Sequence, residues 1–171
     1  AEIDLFRTTY SSVLSLTISS VEISDRTAVE DALAAYEALS TDAQAELTSE
    51  KALLDSLLVE ITRLENIVIE ITTFREVHAE ALALTVLTVV INDKAKIEAA
   101  LAAYDLLSTD AQAELSNEKV LLDSLLARIN HLTELSELAL LYIYNHIPAL
   151  SLTTETVTIN EFYILKLFCF V

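Results

Sequence analysis

Val29, Leu33, Tyr36 and Leu39 follow one another at steps of four, three and three, which places them on one face of a helix. Asp25, or Ser24 beside it, is a predicted N-cap for that helix. Thr41 and Gln44 have the spacing of a capping box, so a second, short helix is expected to run from there to Leu47. Thr48, Ser49 and Glu50 predict the cap of a third. Along it Leu54, Leu57, Ile61, Leu64, Val68 and Ile71 keep steps of three and four, and Phe74, His78, Ala81 and Leu82 follow after a shift. No glycine or proline interrupts residues 49–84, so this helix is expected to run unbroken for ~50 Å at the helical rise. Its weak point is the β-branched run at 67–73, and a break there is the alternative. Residues 85–91 are β-prone. They predict an extended connector whose Val89 and Ile91 plug the bundle, with pairing as a short strand the alternative.

The same pattern then returns. Phe6-Arg7 and Phe74-Arg75 stand 68 residues apart, as do Tyr36 and Tyr104. The nine residues from Leu39 to Leu47 recur unchanged from Leu107 to Leu115, and about 24 of the 33 positions from Val29 to Ile61 are identical 68 later. Identity at that density is the mark of duplication. A third start is visible at the same offset, with Leu82, Val89 and Asn92 falling on Leu150, Val157 and Asn160, and it collapses after Glu161. The organisation expected is a helical repeat at 6–73, a second at 74–141, and a partial third with a divergent apolar tail at 142–171. The fold class expected is all-α: tandem three-helix modules joined by a long shared helix into an elongated array.

Val89, Ile91 and Asp93, followed by Ile97, Ala100, Ala103-Tyr104 and Leu107, give the order V-x-I-x-D, then I-x-x-A-x-x-A-Y-x-x-L, then a polar corner. This resembles a small three-helix repeat module found in large bacterial cell-surface (adhesin or stalk) proteins, over nearly the whole of both full copies. The resemblance implies a stalk or spacer role in a secreted, wall-attached or matrix protein.

Composition agrees with helices. Glycine is absent and Pro148 is the one proline, whereas β-hairpin turns would need glycine. A net charge of −17 with ten Lys and Arg argues against nucleic acid, whose phosphates need cations to neutralise them, and against anionic lipid. Cys169 is the one cysteine, so no intrachain disulfide can form. The start Ala1-Glu2-Ile3-Asp4 lacks the pattern of a signal peptide, and the tail from Phe162 is too short to span a bilayer.

Candidate chemistry is sparse. Glu76 and Glu80 flank His78 at two residues on either side, a spacing that puts them on other helix faces and spoils chelation. Asp42 with Glu46, and Asp110 with Glu114, pair carboxylates at i, i+4, but no EF-hand glycine or ligand spacing accompanies them. Tyr36 and Tyr104 are expected to pack with their hydroxyls at the rim. Without glycine neither a P-loop nor a dinucleotide fingerprint can exist.

The chain is therefore expected to be non-catalytic, with no cofactor, no metal and no small-molecule substrate. Its partner is expected to be protein: further copies or a surface partner. The expected role is a structural spacer of a secreted or cell-surface protein; a three-helix binding module and an engineered repeat are the alternatives. The assembly contact is expected in the apolar tail, at Phe162, Tyr163, Ile164, Leu165, Leu167, Phe168 and Phe170.

Overall fold

A chain without glycine must end its helices without left-handed residues, and no described residue has positive φ. The computed structural model describes residues 1–146. Among them every regular element is helical. Contacts divide the chain into two units, the first ending at Thr72 and the second beginning at Thr73.

In unit 1, α1 (Glu2–Thr9) and the short α2 (Ser11–Leu14) are followed by a turn and a 3-10 turn at Ile23–Asp25. Then come α3 (Arg26–Glu37), α4 (Thr41–Glu46) and α5 (Thr48–Val77). The core collects Phe6 and Val13 from the first two helices, Val21 from the turn, Val29 and Ala32 from α3, Leu47 from the corner, and Leu54, Leu57 and Ile61 from α5. Leu33, Tyr36 and Leu39 pack against its edge and stay partly exposed. Unit 2 contains the end of α5, α6 (Ala79–Leu82), a 3-10 turn at Ile91–Asp93, α7 (Lys94–Tyr104), α8 (Thr109–Glu114) and α9 (Ser116–His146). Its buried residues include Phe74, Ala81, Val89, Ile97, Ala100, Leu115, Leu122, Leu125 and Ile129. Each stands 68 after a buried residue of unit 1.

The long helix differs from expectation at its end. It stops at Val77, not Leu84, because His78 has φ −105° and ψ 18°, and helix resumes at Ala79. Tyr10 makes the same break between α1 and α2, with φ −101° and ψ 17°. In both places the aromatic ring at the break lies on the phenylalanine one turn earlier, at 5.1 Å for Phe6–Tyr10 and 5.0 Å for Phe74–His78. The break turns Val13 and Ala81 inward. The β-branched run at 67–73, in contrast, stays helical within α5. Poor propensity costs only about 0.5 kcal/mol per such residue, too little to break a helix anchored by packing on both sides.

The apolar stripe of α5 does not stay buried along its length. Val68 is 51% exposed and Ile69 61%, with Ile61 and Phe74 the buried residues on either side. Length explains it: α5 has 30 residues and α3 has 12, so one is ~45 Å long and the other ~18 Å. Between Ile61 and Phe74 the apolar residues are half-buried at most, as at Leu64, Ile67 and Ile71.

Three local expectations are corrected. The cap of α4 is Ser40, not Thr41. Ser40 has the extended φ −61° and ψ 152° of a cap, and its hydroxyl accepts from Ala43 N at 3.4 Å. Gln44 then lies too far into the helix to close a box. Its amide instead donates to the carbonyls of Tyr36 at 3.2 Å, Glu37 at 3.1 Å and Leu39 at 3.2 Å, which are the groups left open where α3 ends. Gln112 does the same for Tyr104 at 3.2 Å and Leu107 at 3.1 Å. Second, Asp25 stands at the N-cap position of α3, as expected, but its side chain makes no capping bond to that helix. A 3-10 turn precedes α3, and the Asp25 carboxylate accepts from Glu22 N at 2.9 Å, one turn earlier; Asp93 accepts from Val90 N at 3.1 Å. Third, the 85–91 segment is a turn and not an extended connector. Val89 N donates to Thr85 O at 2.9 Å and the Thr88 hydroxyl accepts from Thr85 N at 3.0 Å, which uses the groups a strand would offer a neighbour. Val89 is buried as expected, and Ile91 only half so.

Two sets of substitutions follow. Gln44→Ala is expected to cost about 1–3 kcal/mol through unpaired carbonyls, and Ser40→Ala about 1 kcal/mol. Thr41→Ala should stay within about 0.5 kcal/mol. Denaturant melts followed by circular dichroism check the order, and an equal loss at Thr41 and Ser40 would restore Thr41 as the cap. By the same assay Ile61→Ala should cost about 2–5 kcal/mol, while Val68→Ala, on the uncovered stretch of the same stripe, stays within about 0.5 kcal/mol.

Candidate functional site

The structure gives packing or hydrogen-bonding partners to some of the polar residues singled out from the sequence and leaves others at the surface. Tyr36 puts its ring edge-on to Phe6 at 6.4 Å and its hydroxyl donates to Gln44 O at 3.0 Å. Tyr104 repeats this with Phe74 at 6.3 Å and Gln112 O at 2.7 Å. Lys119 lies 5.9 Å from the centre of the Tyr104 ring, a cation–π distance. His78 is half-buried on Phe74 and serves the helix break, and His131 is exposed. Asp42, Glu46, Asp110 and Glu114 face solvent. No group of three metal-ligating side chains comes together among the described residues. The predicted assembly residues, Phe162, Tyr163, Ile164, Leu165, Leu167, Phe168 and Phe170, lie outside the described residues.

Charge is arranged as surface pairs. Arg7 meets Glu50 at 2.6 Å, and Arg75 meets Glu118 at 2.6 Å, 68 residues on. Each ties the helix that opens a unit to the first turn of the helix that closes it. Lys51–Asp55 at 2.6 Å and Lys119–Asp123 at 2.7 Å span one turn within α5 and α9. Unit 1 has one cluster without a counterpart. Arg26 donates to Glu65 at 2.6 Å, Glu30 at 2.8 Å and the Thr62 hydroxyl at 2.9 Å. In unit 2 the corresponding residues are Lys94, Thr133, Glu98 and Asn130, and only the Lys94–Glu98 contact, at 3.8 Å, remains. The hydrogen bonds from Arg26 hold the Glu65 carboxyl below its ordinary range, and those same bonds hold the Arg26 guanidinium charged more firmly.

The surface feature that sequence reading missed is the far end of α9. Leu135, Leu138, Leu140 and Leu141 are all substantially exposed, Leu138 at 61%. No charge occurs from Leu138 to Tyr144. The signal was present in the repeat: at the equivalent places α5 has Glu70, Thr72, Thr73, Arg75 and Glu76 where α9 has Leu138, Leu140, Leu141, Ile143 and Tyr144. The apolar run occupies every face of this helix end, whereas Val59 and Val120 are lone exposed valines. No helix among the described residues is long and apolar enough to cross a membrane.

The Glu65 shift makes a pH prediction. Its folded value lies below the ordinary 4.5, so the stability it adds is fully present above that pH and is lost as pH falls through the lowered value. The stability difference between the native chain and Glu65→Gln should therefore stay constant above pH 4.5 and shrink as the pH falls below it. Urea melts on both sides of that pH check it, and a difference that stays constant throughout excludes the charged Arg26–Glu65 interaction as its source.

No protein-family model matches this chain, and no curated protein or solved structure matches it either.

Proposed function

We propose that this chain is a non-catalytic structural spacer of a secreted or cell-surface protein, built of tandem three-helix modules of 68 residues that share their long helices. The observation that carries the reading is the recurrence of the same skeleton 68 residues on. The buried positions repeat, from Phe6 and Phe74 through Ile61 and Ile129. So do the Arg7–Glu50 and Arg75–Glu118 pairs, the tyrosine hydroxyl bonds and the glutamine caps. Where the copies differ, as at Arg26 and Lys94 or Glu65 and Thr133, the difference is an exchange of surface ion pairs and not an added catalytic group.

The repeated unit also has the form that lengthening requires. The helix that opens unit 2 is the end of α5, whose first half packs in the core of unit 1. A module that closes with the opening helix of the next can be added indefinitely, as in other repeat proteins. The acidic surface suits this role, because like charge keeps neighbouring arrays apart in solution.

Scattering from chains carrying two, three and four copies of the 68-residue module tests the proposal. A spacer adds a constant increment to the maximum dimension with each copy; a dimension that stops growing as copies are added rules it out.

A further inference from the structure

We infer that the middle of α5 is a compliant joint: residues 67–73 open and re-form as helix while the cores at the two ends of α5 stay folded. The inference goes beyond the spacer reading. It needs only that one helix enters two cores, and not a secreted or surface role.

Burial lapses along this stretch. Ile61 and Phe74 are buried, and no residue between them is. Leu64, Ile67 and Ile71 are partly covered, while Val68, Ile69, Thr72 and Thr73 are exposed. A helix in a protein draws most of its stability from the face it buries, so turns without a buried residue have low local stability. Glu70 has an interaction of its own, but one contact of a partly exposed side chain adds little.

The residues are also poor helix formers. From Ile67 to Thr73 every residue but Glu70 is β-branched, and each loses side-chain freedom against the preceding turn. The Thr72 hydroxyl donates to Val68 O at 2.8 Å and so shares a carbonyl with the helical amide of the same residue. The equivalent run of α9, from Leu135 to Leu141, contains no β-branched residue. The weakness belongs to one copy of the repeat and is not a property of the module.

Both sides of the run are held. Arg26 ties α5 to α3 at Glu65, and Arg75 ties it to α9 at Glu118. The division between the two units falls inside the run, between Thr72 and Thr73. Anchored on each side and weak between, these turns are where a bend or a pull on α5 is relieved first. Passing from helix to extended chain, residues 67–73 lengthen by ~13 Å, a reserve that spares both cores.

Amide hydrogen exchange of the full chain, read residue by residue by NMR at low urea concentrations, tests this. Amides of 67–73 should exchange about a hundredfold faster than those of 54–61 and of α7, at a rate nearly independent of urea, because little surface opens with them. Val68→Ala, Ile69→Ala, Thr72→Ala and Thr73→Ala combined alter exposed positions only, and should slow exchange of the run about tenfold through higher helix propensity. A run that exchanges at the rate and urea dependence of α7 opens only with a whole unit, and overturns the joint. So does a run whose rates the four alanines leave unchanged. Neither result bears on the lengthening of multi-copy chains, whose failure sinks the spacer reading and leaves the joint standing.

Discussion

The corner between α3 and α4 is held by one side-chain amide. Where α3 ends, several carbonyls lose their helical partners, and a glycine in a left-handed turn is a common way to cover such an end. This chain has none. Gln44 shares its two amide hydrogens among the carbonyls of Tyr36, Glu37 and Leu39, while its own carbonyl accepts from the Tyr36 hydroxyl. Residues 36 and 44 thereby clasp each other in both directions. The chain can reverse within a few residues, and α5 comes back against α3 in the register that buries Leu54, Leu57 and Ile61. Gln112 and Tyr104 repeat the clasp in unit 2.

With that corner set, the remaining features follow from lengths. The short α3 reaches along α5 as far as the Arg26–Glu65 contact, and beyond it Val68 and Ile69 are exposed. The end of α5 regains burial only where unit 2 supplies neighbours, at Phe74. The helix therefore belongs to two cores, one at each end. The breaks at Tyr10 and His78 then bend the chain by one residue so that Val13 and Ala81 can enter those cores as well. In α9 the equivalent helix end carries Leu138, Leu140, Leu141, Ile143 and Tyr144 where α5 has charged or polar residues.

Much of this architecture was legible in the residues. The three-and-four spacing from Leu54 to Ile61 required a helix with one buried face, the 68-residue identity required that the face recur, and the absence of glycine excluded hairpins. The recurrence of Phe6 at Phe74 and the packing role of Tyr36 and Tyr104 were equally visible; the burial of the two phenylalanines was not. Spacing alone could not say how far each face stays covered: Val68 has the periodicity of a core residue and is half exposed, because coverage depends on the length of a different helix.

Local chemistry marked the limit more sharply. Thr41 and Gln44 have the spacing of a capping box, yet Ser40 takes the cap and Gln44 serves the preceding helix. Both arrangements satisfy local hydrogen bonding, and only the return of the chain against α3 brings the three open carbonyls within reach of the amide. Residues 85–91 have strand-like composition, but their threonines close a turn because no neighbouring edge is available to pair with. Period and duplication, properties of the chain itself, determined the helices and their repetition. Which residues cap, which are covered and which stay exposed depended on what the folded chain placed beside them.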